Sequence, residues 1–183
     1  RWREWCRGRE KGGFSAATAR ADMIVRVKDD YDGGEPAGNS TAISALLRLA
    51  KITDNKKYRE PAMASLAQFS SKITQFPRAV PYMVGAVDFS ANEPKRVVLV
   101  GDVKSEPVQN MLKIIHGNYQ PNKVVLGTEG PVEEFSRTTL KKQAKKGEVV
   151  VFLCQGKFCE LPTGDPKKVI EGLGRSELKL KEE

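Results

Sequence analysis

Apolar residues in the first half of the chain recur at helical spacing. Ile43, Leu46, Leu47 and Ala50 fall on one stripe, and Tyr58, Ala62, Leu66, Phe69 and Ile73 fall on another. The polar turn "TDNKK" between the stripes predicts an antiparallel helical hairpin. Asn39 or Ser40 is expected to cap the first helix, since either side-chain oxygen can accept from an unpaired first-turn amide. Pro61 suits a first turn but not a helix interior, so the second helix is expected to begin near Tyr58. A third helix is expected after Pro81, with Met83, Val84, Val87 and Phe89 facing inward. Upstream, Trp2 and Trp5 suit the tail of a helix stopped by Gly12 and Gly13, and Met23 to Val27 suits a short extended segment.

The character changes at "SANEPKR", which places a domain boundary near Asn92 and divides the chain into residues 1–92 and 93–183. Downstream, "RVVLVGD" and "NKVVLG" are continuous apolar runs of the kind shown by strands buried on both faces. Between them "SEPVQNMLKIIHGNY" predicts a helix with Pro107 in its first turn and Val108, Met111, Leu112 and Ile115 inward. A second helix is expected over "GPVEEFSRTTLKKQAKKG". Strands "EVVVFLCQG" and "FCELP" flank a turn at Gly156, and "DPKKVIEGLG" predicts a closing helix capped by Asp165. The fold class is therefore α+β, with helical hairpins followed by a small α/β unit whose βαβαββα order implies a mainly parallel sheet. The tail from Arg175 is charged and expected to fray.

Composition adds limits more than leads. The chain has 183 residues, of which 39% are apolar and 30% charged, as in ordinary globular domains. No run approaches the roughly 18 apolar residues of a membrane helix, and no secretory leader is evident. The chain opens without Met in "RWREWCRGREKGGF", so it is expected to be a piece of something longer, with a cytoplasmic location. The net charge of +8 is diffuse: 15 basic against 10 acidic residues in 1–92, and 16 against 13 in 93–183. The densest basic cluster, Leu140 to Lys146, carries no interleaved aromatic side chains that could stack bases, and it reads as a solvated helix face. Nucleic acid is thus a disfavoured partner. With Cys6, Cys154, Cys159 and His116 as its only soft ligands, the chain is poor material for zinc, and neither metal nor cofactor is expected.

Few residues carry candidate chemistry. "VVLVGD" before a helix has only Gly101 of the three glycines that a dinucleotide fingerprint uses, so a plain strand-to-helix turn with a polar Asp102 is expected. His116 near a helix end reads as structural. Cys154 and Cys159 lack the two-residue spacing of a redox motif, and their place across a hairpin leaves open two half-buried thiols or a bond. The most distinctive stretch is "KDDYDGGEPAGNS", Lys28 to Ser40. It fails as a calcium loop, because the alternation of ligands stops after Asp32 and Thr41 stands where a terminal acid belongs. As acidic, glycine-rich sequence it reads as a solvated turn on residue chemistry, with a lip of a site as the alternative.

The stretch "RVKDDYDGGEPAGNSTAISALLRLAKIT" resembles the pattern R-x-K-D-x-x-D-G-A-x-P-S-G-N-S of a thioredoxin-domain-containing family of the spermatogenesis-associated type. The likeness continues through "FPRAVPYMVGAVDF", "VVLVGD", "YQPNKVVLG" and "VVVFLCQGKFCELPTGDPKKV", from about Gly12 to Leu173. Gly34 stands where Ala is usual and Ala37 where Ser is usual, and the first eleven residues do not match. The resemblance implies a parent with an N-terminal thioredoxin-like domain, an α/α toroid similar to sugar 2-epimerases and six-hairpin glycosidases, and a short C-terminal α/β portion. Residues 1–92 would then be terminal helices of an incomplete toroid, and the missing parts of the same chain its partners. It also makes pairing of Cys154 with Cys159 more credible. No catalytic residue is carried across. Loops at the mouth of such a toroid line its cavity, which makes Asp29, Asp32, Glu35 and Asn39 candidate ligands for a small sugar. A non-catalytic structural or protein-interaction module is the competing expectation.

Overall fold

A computed structural model describes residues 12–15, 27–127, 147–156 and 158–174. The expected N-terminal helix tail, nearly all of the Met23–Val27 segment, the helix holding Leu140 to Lys146 and the tail from Arg175 lie outside these residues. The chain forms two compact units, Arg1–Asn92 and Glu93–Glu183. The fold is α+β, with six α-helices and a four-stranded sheet among the described residues.

The first unit contains α1 (Gly38–Thr53), α2 (Lys56–Gln68), α3 (Ser70–Gln75), a 3-10 turn at Pro77–Ala79 and α4 (Pro81–Ala91). Helix α1 lies between α2 and α4. Its Ile43, Leu46 and Leu47 are buried together with Ala62, Leu66 and Phe69 from the α2 side and Met83, Ala86 and Phe89 of α4. Burying each large side chain contributes about 1.5–3 kcal/mol, so this three-helix seam is a large stabilising contribution among the described residues. Arg48 of α1 also lays its guanidinium over the Phe89 ring, 4.7 Å from the centroid. The turn between α1 and α2 uses Asp54 in the left-handed region (φ 53°), and Asn55 accepts a hydrogen bond from the Lys57 amide to cap α2.

Two helix boundaries differ from expectation. Helix α1 starts at Gly38 with Ala37 as its N-cap and no side-chain cap, so Asn39 and Ser40 sit in the first turn. Asn39 is diverted from capping because its amide is held by backbone elsewhere, as shown below. Helix α2 begins at Lys56, which puts Pro61 inside it and beyond the first turn. Pro61 has no amide proton to give, but its carbonyl still accepts, in this case from the Ser65 hydroxyl at 2.7 Å.

The second unit orders its strands β2-β1-β3-β4, from β1 (Lys95–Val100), β2 (Lys123–Gly127), β3 (Val150–Gln155) and β4 (Phe158–Cys159). The β1–β2 pair is parallel, while β1–β3 and β3–β4 are antiparallel. The sheet is thus mixed, not mainly parallel. A short apolar strand looks alike in either direction, so the sequence "EVVVFLCQG" holds no mark of which way β3 runs. Helices α5 (Glu106–Gly117) and α6 (Pro166–Leu173) cover one sheet face. There Val97, Leu99, Val151 and Leu153 form a core with Val108, Met111, Ile115, Val169 and Leu173. Arg96, Val98, Val100, Val124 and Leu126 are also buried. Proline in the first turn opens both α5 and α6, and Asp165 caps α6 by accepting from the Lys167 amide at 2.9 Å.

Candidate functional site

The loop from Asp29 to Ala37 is fastened to the first unit at three points. Asp32 is the principal one. Its Oδ1 accepts from the Ala37 amide at 2.8 Å, its Oδ2 accepts from the Tyr82 amide at 2.9 Å and from Met83 at 3.4 Å, and its own amide donates to the Ala79 carbonyl at 2.9 Å. Tyr82 and Met83 are in the first turn of α4, whose own N-cap residue, Val80, offers no side-chain cap. Asp32 therefore supplies from the loop both the hydrogen bonds and the negative charge that a helix N-terminus favours.

Asn39 is the second point. It is 2% exposed, and its Oδ1 accepts from the Phe14 amide at 2.6 Å while Nδ2 donates to the carbonyls of Phe14 at 2.9 Å and Asp29 at 2.7 Å. One amide thereby pairs with Phe14 in the manner of a strand and anchors the loop's first residue. The third is the ion pair between Lys72 Nζ of α3 and Asp30 at 2.6 Å, both partly exposed, of the kind that contributes about 0–1 kcal/mol.

Asp29 and Glu35 are both exposed. The Asp29 carboxylate makes only a long contact of 3.5 Å with the Tyr31 amide. Tyr31 is 61% exposed, and its ring lies over Gly33, where a Cβ would meet ring carbon at 3.0 Å. The four candidates thus divide by environment. Asp32 and Asn39 are consumed by the scaffold, whereas Asp29 and Glu35, with Tyr31 between them, remain presented outward. The Asn39 contact to the Asp29 carbonyl joins two of the four directly.

The remaining sequence candidates sit in the second unit. Gly101 follows β1 at φ 145° because a Cβ there would stand 2.9 Å from the Glu148 carbonyl oxygen and from Val108 Cγ2, so close packing explains the glycine. Asp102 folds back to accept from the Lys104 amide at 2.9 Å, forming an ordinary turn. His116 is exposed in the last turn of α5. Cys154 and Cys159 are bonded, with Cα atoms 3.9 Å apart across β3 and β4. Sequence reasoning missed the adjacent cleft of about 620 Å³, lined by Glu93, Lys95, Gln155, Phe158 and Glu160 with Cys154. Its only sequence signal is the hairpin at Gly156, since the wall residues come from three separate segments. Among the described residues, no three His, Cys, Asp or Glu side chains lie where they could hold a metal ion, and no helix is long and apolar enough to cross a membrane.

No protein-family model matches the chain. Individual proteins do. The chain is 32% identical over 163 residues to spermatogenesis-associated protein 20 of Mus musculus, and 31% identical over 163 residues to that of Homo sapiens. It is similar to spermatogenesis-associated protein 20. An uncharacterized protein of Caenorhabditis elegans is 30% identical over 152 residues. These alignments cover 85%, 85% and 82% of the chain but only 20%, 20% and 21% of the relatives, so the chain spans about a fifth of their length. That likeness runs through both units, because 163 aligned residues exceed either one alone.

Proposed function

We propose that the chain is the C-terminal part of a larger protein with a thioredoxin-like domain and an α/α toroid, and that the parent binds a small sugar in the manner of sugar 2-epimerases. Residues 1–92 then supply terminal helices of the toroid and residues 93–183 a small α/β portion. The observation that carries the sugar reading is the division of labour in the loop. Asp32 and Asn39 lock its backbone, while Asp29, Tyr31 and Glu35 face outward on the locked frame. Two carboxylates accept from sugar hydroxyls, an aromatic ring offers a face to the sugar's C–H groups, and a loop held in place beforehand saves ordering entropy on binding.

The test is a thermal-shift screen of the full-length parent with mono- and disaccharides. A stabilising sugar whose effect disappears in the Asp29→Ala/Glu35→Ala double variant is expected. The absence of a shift with every sugar would overturn the reading. Asp32→Ala is unsuitable for this purpose because it removes a helix cap.

A second reading, a structural or protein-interaction module without catalysis, draws on the same Asp32 and Asn39. Both could be retained for the scaffold alone, since every hydrogen bond described for them goes to backbone. A full-length protein indifferent to sugars yet destabilised by Asp32→Ala would favour it.

A further inference from the structure

We infer that the Cys154–Cys159 disulfide is a site of thiol exchange whose reduction releases one wall of the cleft in the second unit. The two cysteines are unequally placed: Cys154 is 5% exposed within β3, and Cys159 is exposed on a two-residue edge strand. Exchange requires an incoming thiolate to reach a sulfur, and the outer one is the accessible target. The thiolate of a dithiol reductant attacks Cys159 Sγ, forming a mixed disulfide and expelling Cys154 as thiolate. The reductant's second thiolate then displaces Cys159, leaving the reductant as a disulfide and the protein as two thiols, with the two protons drawn from the reductant's thiols.

What else holds β4 decides the consequence. The contacts that hold β4 besides the bond include its short ladder with Cys154 and Gln155 and the Glu160 amide donating to the Leu153 carbonyl at 2.8 Å. Phe158, 84% exposed, and Leu161, 90% exposed, bury almost nothing that would keep the strand in place. Beyond them the chain is pinned again, since Val151 and Thr163 exchange two backbone hydrogen bonds at 2.8 and 3.1 Å. Reduction is therefore expected to free residues 158–162, which carry Phe158 and Glu160 of the cleft, while leaving β3 in the sheet.

The experiment uses the whole chain with Cys6→Ala, so that Cys154 and Cys159 are the only thiols. After native treatment with dithiothreitol to full reduction and removal of the reductant, maleimide labelling read by mass spectrometry is expected to give two adducts, with the exposed Cys159 labelled faster than the buried Cys154. Hydrogen exchange is expected to show lost protection at the Glu160 amide and unchanged protection at Val151 and Thr163. Cys159→Ser should reproduce that local loss without reductant. Labelling that appears only in denaturant overturns the inference. So does reduction, or Cys159→Ser, that removes protection throughout β1 and β3, because the bond would then be a structural staple.

Discussion

Asp32 and Tyr82 are fifty residues apart in sequence, yet the Asp32 carboxylate accepts the Tyr82 amide proton at 2.9 Å and so caps α4 from outside the helix. Removing an N-cap side chain costs about 0.5–2 kcal/mol. Asp32 also accepts from Ala37, so Asp32→Ala is expected near the upper end, about 2 kcal/mol in urea unfolding of the first unit. Asp32→Asn keeps one oxygen acceptor but sets an NH2 donor against either the Ala37 or the Tyr82 amide, so it should recover little of that loss. An Asp32→Asn variant as stable as the parent would show that neither the charge nor the second hydrogen bond contributes.

Asn39 is satisfied on both ends of its amide while almost wholly buried. Truncation strands the Phe14 amide, and an unpaired buried polar group costs about 1–3 kcal/mol. Asn39→Ala is expected to cost roughly that much for the Phe14 amide alone, with a further loss at the two carbonyls. Asn39→Asp should cost more than Asn39→Ala, because the carboxylate would point at the Phe14 and Asp29 carbonyls without a proton to donate. Chemical denaturation of the three proteins side by side checks the order.

These two residues also show where legibility in the sequence ended. The apolar stripes through Ile43, Leu46 and Leu47 and through Ala62 and Leu66 were readable because local periodicity sets which face is buried. Pro107 and Asp165 marked helix starts for equally local reasons. Asn39 looked like a cap because the preference for Asn before a helix is local too, but its partners are Phe14, 25 residues back, and Asp29. Asp32 carries its main partner 50 residues onward. The antiparallel placement of β3 has the same cause, since it is decided by pairing across the sheet between Arg96 and Cys154 and the residues that follow. Within the acidic loop, composition revealed the carboxylates, and only tertiary hydrogen bonds separate the two scaffold residues from the two exposed ones.

Gly12 and Gly34 should respond in opposite ways to alanine. Gly12 lies at φ 83°, and a Cβ there would come within 2.2 Å of the Ala64 carbonyl oxygen, a backbone atom that cannot swing aside. The left-handed region alone costs a non-glycine residue about 1–2 kcal/mol, and the clash adds to it. Gly34 has open space around its missing Cβ and carries no positive φ. Gly34→Ala is therefore expected to be neutral or to stabilise by up to about 1 kcal/mol by restricting the unfolded chain. Melting of both variants against the parent tests the contrast, and a destabilised Gly34→Ala would contradict it.

Lys123 Nζ donates to the carbonyls of Ile115 and Asn118, where the last turn of α5 leaves acceptors without helical partners. A cation is normally welcome at that end of a helix, yet burial pushes the Lys123 pKa below its usual value of 10.5. Desolvation of the ammonium outweighs the dipole. As pH rises toward 10.5, the folded protein releases the proton while the unfolded chain still holds it, so this lysine's contribution to folding grows more favourable through that window. A neutral amine keeps two N–H groups, enough for both carbonyls. The stability advantage of the parent over Lys123→Met in urea should therefore widen between neutral pH and pH of about 10. An advantage that narrows over that range would mean that the ammonium form is the one that secures the end of α5.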